Sequence, residues 1–277
     1  MFQEQPLLGK GFFALGWLNA APSLMHTDPE TNENLPSQLR RWYRCIPGRL
    51  VLQAERNQLE ALLPSLMGNR IAQVGCVGSS ALLTGSTMPH RIVVDGDVRA
   101  TDIDPDVYAQ ADALPFETES LDVLVLPHTL EWSGDPQKVL QESHRVLAPE
   151  GHLVILGFNP WGLWSFWRGL RKRRTEVPWC GSFRSPSQVC AWMVTLDFHV
   201  VRTRYFFFRP PLQHEASMRA LSFLKILEGR HGIPLSGLYL VMAQKRVVAM
   251  TPISLRWKGT LRPRMSSLCW VKNNTKD

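Results

Sequence analysis

The segment from Ala109 to Trp164 constrains the fold of this chain more than any other part of its sequence. Apolar runs of β type lie at residues 107–111, 121–126 and 152–158, and a helical segment lies at residues 136–147. The apolar residues of that segment recur at helical spacing, which suits a helix buried against a sheet. Strand, helix and strand in this order form the crossover unit of a parallel sheet. Such sheets bind ligands beyond the carboxyl ends of their strands, so the segment predicts a binding site as well as a fold.

The rest of the chain supplies further elements of an open α/β sheet. Residues 70–74 and 91–95 are predicted as early strands, and residues 199–208 and 238–248 as a late antiparallel pair. Helices are predicted at residues 38–43, 50–67, 161–174, 187–196 and 215–227, with a turn at Pro47-Gly48. This alternation favours one sheet with helices on both faces. We assign residues 36–253 to this domain, residues 1–35 to an N-terminal extension and residues 254–277 to a basic tail.

The composition favours a protein with one main core in a reducing compartment. With 277 residues, of which 44% are hydrophobic, the chain can bury one large core. Its five cysteines are scattered without a CxxC pair, which argues against a disulfide framework and a structural zinc site and favours the cytoplasm. No grouping of His, Asp and Cys suggests a metal. The net charge of +7 favours anionic partners such as RNA, phospholipid surfaces or acidic small molecules.

The glycine-bearing turn Gly75-Cys76-Val77-Gly78 follows a predicted strand, as in the cradle of a nucleotide cofactor. Glycine lets the backbone approach a ligand, and a following helix offers free N–H donors. A turn required only for packing is the alternative for this motif alone. Asp95 follows about twenty residues later, where a carboxylate can accept hydrogen bonds from both ribose hydroxyls of an adenosine cofactor. Asp97 competes for this role, and both residues can also be solvated turn residues.

Asp112 follows the third predicted strand and is the strongest of these candidates. A carboxylate there can accept a hydrogen bond from an adenine amino group, while apolar atoms of Ala113 and Leu114 pack on the ring. The glycine turn, Asp95 and Asp112 together predict a pocket for an adenosine-type cofactor at one edge of the sheet.

Several motifs resemble the class I S-adenosylmethionine-dependent methyltransferases, and among them the type 11 branch. The matching motifs are Asp112-Ala113-Leu114-Pro115-Phe116, Ser120-Leu121-Asp122 and the run from Asp135-Pro136 to Gly151. Pro127-His128-Thr129-Leu130-Glu131 and Gly157-Phe158-Asn159-Pro160-Trp161 are similar to the YafS-like bacterial subgroup. The resemblance covers residues 35–253. It implies a Rossmann-like, seven-stranded, mostly parallel sheet with helices on both faces and an antiparallel last strand.

The resemblance also implies S-adenosylmethionine as the cofactor. The implied contacts fall on Gly75, Cys76, Gly78, Asp95, Asp112, Ala113 and Pro127. The chain departs from the family at Gln73, where an acidic residue is usual, and its glycine turn is one glycine short. The helix that normally follows the second strand is reduced to a loop at residues 99–105. Either departure would weaken or abolish cofactor binding.

Methyl transfer requires the alignment of an acceptor with the methyl group and the removal of at most one proton. His128 is the candidate general base, because imidazole titrates near neutrality and the resemblance places this residue beside the methyl group. Glu131 is its candidate partner or a second acid-base group. The alternative role for His128 is a hydrogen bond that caps the loop.

Asn159, Trp161 and Trp164 are the candidate substrate-binding residues. Asn159 either binds a polar group of the acceptor or braces an Asn-Pro turn, and bracing is the more frequent role. The two tryptophans precede the basic residues from Arg168 to Arg174. We expect this segment to be a helix that packs its tryptophans on the core, with an anionic membrane surface or RNA as alternative partners of its cations.

The sequence thus predicts a cytoplasmic bacterial methyltransferase that acts on a small or amphiphilic acceptor and has no metal. Peripheral contact with a membrane would use the basic residues. Two other functions stay open at this point. One is a non-catalytic binding or regulatory protein with a methyltransferase fold at a membrane surface, and the other is an RNA methyltransferase.

Overall fold

The structure, a computed structural model, describes residues 35–75, 80–96, 105–162, 164, 165, 177, 179–208 and 236–246. These residues belong to one unit, Met1–Val247, and the second unit, Val248–Asp277, lies outside them. Residues 1–34 of the predicted N-terminal extension, the predicted helix at residues 215–227 and the basic tail also fall outside the described ranges, whereas Leu35, which we assigned to the extension, begins the first helix.

The described part of the chain contains five α-helices and seven strands. The N-terminal helices are α1 (Leu35–Tyr43) and α2 (Ile46–Leu62), which continues into a 3₁₀ turn (Leu63–Ser65). The strands are β1 (Arg70–Val74), β2 (His90–Asp95), β3 (Val107–Tyr108), β4 (Leu121–Pro127), β5 (Leu147–Phe158), β6 (Phe198–Phe206) and β7 (Leu238–Lys245). The other helices are α3 (Thr129–Trp132), α4 (Pro136–Val146) and α5 (Pro186–Thr195), and a second 3₁₀ turn covers Ser80–Leu83.

The seven strands form one sheet in the order β3-β2-β1-β4-β5-β7-β6. The first five strands pair in parallel, whereas β7 is antiparallel to both β5 and β6. This confirms the predicted mostly parallel sheet with an antiparallel last strand. The strand order reverses between β1 and β4, because β1 leads to β2 on one side and β4 leads to β5 on the other. A ligand crevice is expected at the carboxyl ends of these two strands.

Successive residues of the central strands enter two separate cores, as the period of a strand requires. Ile71 and Val123 lie in the core that α1 and α2 cover. Ala72 and Leu124 lie in the core that α4 and α5 cover. Both faces of β1 and β4 are therefore buried, which explains why these strands are continuous apolar runs in the sequence.

The connection between α1 and α2 differs from the prediction. Pro47 and Gly48 lie inside the first turn of α2, where the missing N–H of proline costs no hydrogen bond. The chain turns earlier, where the Cys45 N–H donates to Trp42 O (2.9 Å). A Cβ on Gly48 would lie 2.6 Å from Tyr43 Cα, so glycine is what lets α2 approach α1 so closely. The predicted turn at Pro47-Gly48 was therefore wrong.

The ends of other predicted elements also differ from those in the structure. The predicted helix at residues 50–67 ends as an α-helix at Leu62, because Pro64 cannot continue the hydrogen-bond ladder and the chain tightens into a 3₁₀ turn. β3 comprises only Val107–Tyr108, since the chain leaves this edge of the sheet to form the loop that carries Asp112. The helix predicted at residues 187–196 begins at Pro186 as α5, and Ser185 caps it, because Ser185 Oγ accepts from the Gln188 N–H (3.2 Å).

Candidate active site

Gly75 begins the loop after β1 and lies beside the loop after β4. Its φ of +99° lies in the region that favours glycine. A Cβ at this position would lie 3.1 Å from Thr129 Oγ1 and 3.6 Å from Pro127 O. The Thr129 hydroxyl donates to Val74 O (2.6 Å), which ties the two strand ends together. The two loops therefore touch where the strand order reverses, and a larger residue than glycine would strain this contact.

Asp95 ends β2 at the same edge of the sheet, but its carboxylate faces a cation of the protein. Arg40 of α1 donates through Nη1 to Asp95 Oδ2 at 2.8 Å. Asp95 is only 6% exposed, so the ion pair offsets the cost of burying this carboxylate. A ribose can reach Asp95 only by sharing it with Arg40 or displacing Arg40.

Asp112 and Ala113 are exposed in the loop that follows β3. The Ala113 N–H donates to Gln110 O (3.1 Å), which turns the chain. Leu114 is buried, and its N–H donates to Glu142 Oε1 of α4 (2.8 Å). The predicted adenine contacts thus lie at the surface of a loop that is anchored immediately after them.

Glu142 and Arg145 of α4 hold this loop together. Arg145 donates to Leu114 O (3.1 Å), to Phe116 O (3.0 Å) and to Glu142 Oε1 (2.6 Å). The hydrogen bonds from Arg145 lower the pKa of the Glu142 carboxyl. Glu142 is therefore a carboxylate acceptor for the Leu114 N–H at neutral pH, and α4 fixes the loop that carries Asp112.

His128 forms a buried cluster with two carboxylates at the end of β4. Its Nδ1 lies 2.9 Å from Glu131 Oε2, and its Nε2 lies 2.7 Å from Glu55 Oε1. Glu131 Oε1 also accepts from the Phe158 N–H, and the Tyr43 hydroxyl donates to Glu55 Oε1 at 3.3 Å. His128 and Glu55 are both 0% exposed. This Glu55-His128-Glu131 cluster joins α1 and α2 to the ends of β4 and β5.

The cluster holds its histidine as a cation. Both ring nitrogens face carboxylate oxygens, so each carries a hydrogen when both contacts are hydrogen bonds. Burial lowers the pKa of His128, but Glu131 and Glu55 outweigh burial and raise this pKa to about 10. Burial also raises the pKa of Glu131, against the opposing charge of His128. In this arrangement His128 is an imidazolium at neutral pH without a nitrogen that could accept a proton.

The backbone of His128 has a strained conformation. Its φ of +56° lies in the left-handed region, which residues with a side chain rarely adopt. Its N–H donates to Leu156 O (2.9 Å), and its carbonyl accepts from the Glu131 N–H (3.2 Å). Such strain persists where the surroundings fix it, and it is frequent at functional sites. The assignment of His128 and Glu131 to catalysis stays a prediction, and the contacts favour a positioning role.

The three substrate-binding candidates near the end of β5 have different environments. Asn159 is buried and braces its loop, since Nδ2 donates to Ser236 O (3.0 Å) and Oδ1 accepts from the Trp161 N–H (3.1 Å). Trp164 is fully buried and stacks on Phe158, with ring centroids 5.6 Å apart. Trp161 is 76% exposed. Substrate binding by these residues stays a prediction, and Trp161 is the one that presents its ring to solvent.

Part of the predicted site lies outside the described residues. This applies to Cys76 and Gly78 of the glycine turn, to Asp97 and to the basic residues from Arg168 to Arg174. Within the described ranges, no three His, Cys, Asp or Glu side chains are arranged to hold a metal ion. No helix in the same ranges is long and apolar enough to cross a membrane.

Arg40 and Glu55 belong to this edge of the molecule and were not predicted from the sequence. Glu55 could have been identified from the sequence, because it falls on the buried stripe of α2 with Val51 and Leu59. A carboxylate in such a stripe needs a buried partner. The role of Arg40 could not be identified in this way, since its partner Asp95 is distant in the sequence.

The sheet order, the reversed last strand and the loops that carry Gly75 and Asp112 define a Rossmann-like protein of the methyltransferase type. The type 11 family of the methyltransferase domain matches residues 84–155. The uncharacterized protein YafS of Escherichia coli is 30% identical over 209 residues, which cover 74% of this chain and 80% of YafS. The chain therefore belongs to the type 11 branch of the S-adenosylmethionine-dependent methyltransferases, in the subgroup of YafS.

Two further proteins are similar to this chain. The ubiquinone/menaquinone biosynthesis C-methyltransferase UbiE of Pseudoalteromonas translucida is 30% identical over 86 residues, which cover 31% of this chain and 32% of UbiE. The crystal structure of an S-adenosylmethionine-dependent methyltransferase from Thermotoga maritima has a TM-score of 0.58 at 19% identity and covers 78% of this chain and 99% of its own. At this identity, the structural similarity shows the fold.

Proposed function

We propose that the protein transfers the methyl group of S-adenosylmethionine to a small or amphiphilic acceptor and releases S-adenosylhomocysteine. The observation that carries this proposal is the meeting of the β1 and β4 loops at Gly75, where the strand order reverses. The crevice of an open α/β sheet lies at such a point. S-adenosylmethionine supplies an electrophilic methyl group there, so the protein needs to align an acceptor more than to activate it.

The residues of this edge fit an adenosine-type cofactor. Gly75 leaves its backbone accessible at a point where a Cβ would be crowded by Thr129. Asp112 presents an exposed carboxylate for the adenine amino group, and Ala113 presents a small apolar side chain. Asp95 would bind the ribose hydroxyls after sharing or losing Arg40. Pro127 and the turn with Cys76 and Gly78 complete the proposed cofactor contacts.

We propose that His128 and Glu131 shape the methyl-transfer end of the site rather than move a proton. Each ring nitrogen of His128 faces a carboxylate oxygen. The side chains of His128 and Glu131 are both buried away from solvent. Their contacts fix the left-handed backbone after β4 and the first turn of α3. A base, where the acceptor requires one, would then come from another residue or from the acceptor itself.

Trp161 supports an acceptor with an apolar part. Its ring is exposed close to the end of β5, and this strand shares the carboxyl edge with β1 and β4. A tryptophan combines a large apolar surface with one N–H donor, which suits the contact with an amphiphilic molecule. Asn159 would act here indirectly, by holding the loop of Trp161.

A second candidate function is favoured by the Arg40–Asp95 pair. This ion pair occupies the carboxylate that a ribose would use and buries it. A methyltransferase-fold protein that binds no cofactor and acts as a binding or regulatory module would have the same arrangement. The membrane-surface and RNA alternatives rest on the residues from Arg168 to Arg174, which lie outside the described part of the chain.

Calorimetric titration separates the two candidates. We expect the folded protein to bind S-adenosylmethionine and S-adenosylhomocysteine, and Asp112→Ala to weaken both by about tenfold or more, since the hydrogen bond from the adenine amino group to this carboxylate is lost. Glu117→Ala is the matched control, because Glu117 is an exposed carboxylate of the same loop. Absence of binding by the intact, folded protein would favour the non-catalytic module.

The acceptor class needs a separate measurement. The protein is incubated with S-adenosylmethionine labelled in its methyl group and, separately, with the lipid fraction, the aqueous small molecules and the RNA of a bacterial extract. We expect label in one of the first two fractions and not in RNA. Incorporation into RNA alone would replace the proposed acceptor with the RNA alternative.

A further inference from the structure

Glu55 is a carboxylate placed entirely inside the protein. It lies on the buried face of α2, and its exposure is 0%. Burying an ionised carboxylate is costly unless its charge and its acceptor oxygens find partners. One oxygen, Oε1, has such partners in His128 Nε2 (2.7 Å) and the Tyr43 hydroxyl (3.3 Å).

The second carboxylate oxygen of Glu55, Oε2, has no hydrogen-bond partner among the described residues. Oε2 is buried and makes no hydrogen bond to them. Buried acceptors in folded proteins are almost always hydrogen-bonded, so an exception needs an explanation. A helix that merely packed on the sheet would carry an apolar residue at this position of its stripe.

Among the residues that the structure describes, the charges of the Glu55-His128-Glu131 cluster do not cancel. One imidazolium faces two carboxylates, and no lysine or arginine within the described ranges pairs with either carboxylate. With both carboxylates ionised, the cluster has one net negative charge. Because the cluster is buried, water screens this charge weakly and its field extends into the neighbouring site.

The cluster lies next to the point where the strand order reverses. His128 directly follows Pro127, whose carbonyl oxygen faces Gly75 across the two loops. A cofactor bound in this crevice would therefore lie close to the negative charge of the cluster. The sulfonium of S-adenosylmethionine is positive. After its methyl group leaves for the acceptor, the sulfur keeps the electron pair and is neutral in S-adenosylhomocysteine.

We propose that Glu55 is a specificity-determining residue that gives this site its preference for the sulfonium form of the cofactor over the neutral thioether product. The proposal rests on the proposed function. The negative cluster attracts the cation before transfer and loses that attraction once the methyl group has left, which favours release of the product. Glu55 acts through its charge and sets this preference together with Glu131.

The test compares the dissociation constants of S-adenosylmethionine and S-adenosylhomocysteine in Glu55→Gln. The amide keeps the shape of the side chain and removes one negative charge. We expect binding of S-adenosylmethionine to weaken by about fivefold or more, while binding of S-adenosylhomocysteine changes by less than about twofold. Glu60→Gln is the matched control, because Glu60 is an exposed carboxylate of the same helix, and it should change neither constant.

An equal change in both dissociation constants, or no change in either, would overturn the proposal and leave Glu55 as a structural residue. If Glu55→Gln does not fold, Glu131→Gln removes the same unit of charge and the same shift in the ratio is expected. The unsubstituted protein gives a third measurement with sinefungin, which has an ammonium group at the sulfonium position. Sinefungin should bind more tightly than S-adenosylhomocysteine, and equal or weaker binding contradicts the proposal.

Failure of the inference and failure of the proposed function give different results. If the folded protein binds neither S-adenosylmethionine nor S-adenosylhomocysteine, the proposed function fails and this inference fails with it. If the protein binds both and Glu55→Gln leaves the ratio of the two constants unchanged, only the inference fails.

Discussion

Arg40 in α1 and Asp95 at the end of β2 form an ion pair with an Nη1–Oδ2 distance of 2.8 Å, at the position predicted for the cofactor ribose. Both side chains are almost inaccessible to solvent. The pair therefore has two consequences: it fastens α1 to the carboxyl edge of the sheet, and it competes with any ligand that uses the Asp95 carboxylate.

The first prediction concerns the stability that this pair provides. Arg40→Gln should lower the free energy of unfolding by about 3 kcal/mol, because it leaves a buried carboxylate without its cation. Arg41→Gln removes the same charge from an exposed position of the same helix and should stay within about 0.5 kcal/mol. Chemical denaturation measures both variants. The double variant Arg40→Gln with Asp95→Asn should lose less than the sum of the single variants, and strict additivity would show that the pair does not couple the two elements.

The second prediction is a pH dependence that originates in His128. Its pKa is raised to about 10 in the folded protein, against about 6.5 in the unfolded chain. The protonated form therefore stabilises the fold fully below about pH 6.5, and this contribution is lost as the pH rises through about 10. Unfolding measured between pH 6 and pH 10 should show it, and His128→Gln should flatten the profile over this range.

Ring chemical shifts of labelled histidines check the same point directly. His128 should remain an imidazolium from pH 6 to pH 9, whereas His144 and His152 serve as internal controls. Burial lowers the pKa of both control residues, so they should be neutral at pH 7. A His128 ring that titrates near its ordinary pKa would mean that one of the two carboxylates does not face it in solution.

The sequence predicted the sheet well because local patterns are sufficient for it. β1 was predicted at its exact bounds, since an apolar run of 5 residues between turn residues is too short for a helix. The helix α4 was predicted from its apolar spacing, and Asp135 caps it by accepting from the N–H groups of Gln137 and Lys138. The residues that form such a pattern lie close together in the sequence, so the prediction does not depend on contacts with distant parts of the chain.

The sequence predicted the location of a candidate site residue where that location depends only on the strand that the residue follows. Gly75 and Asp112 lie at the edge expected from the order of the strands. The environments of Asp95 and His128 depend instead on Arg40 and Glu55, which the packing of two N-terminal helices brings across the sheet. No local pattern records a contact between residues so distant in the chain. For the same reason, the sequence suggested a free imidazole at His128, whereas the structure places a carboxylate against each of its ring nitrogens.

The third prediction concerns Gly75. Gly75→Ala forces a side chain into a left-handed backbone and places its Cβ 3.1 Å from Thr129 Oγ1. We expect a loss of stability of about 1–3 kcal/mol and weaker binding of S-adenosylhomocysteine, since the β1 and β4 loops must separate. Gly134→Ala is the matched control, because a Cβ at Gly134 meets no atom within 4 Å. If both variants bind and unfold alike, the contact between the two loops is not what requires glycine.

The last prediction concerns the loop that carries Asp112, which α4 holds from a distance. Arg145→Gln removes the donors to Leu114 O and Phe116 O, so the loop should lose its fixed position while the sheet stays intact. We expect the affinity for S-adenosylhomocysteine to fall by about fivefold to tenfold, the equivalent of one or two net hydrogen bonds. Lys138→Gln removes a cation from an exposed position of the same helix and should leave the affinity unchanged.

Hydrogen exchange distinguishes this indirect effect from a general loss of structure. In Arg145→Gln, the amide of Leu114 should exchange faster, because its acceptor Glu142 is no longer held by Arg145. The amides of β4 and β5 should keep their protection, since their partners are strands of the sheet. Loss of affinity with unchanged exchange at Leu114 would mean that Arg145 affects the ligand by its charge rather than by positioning the loop.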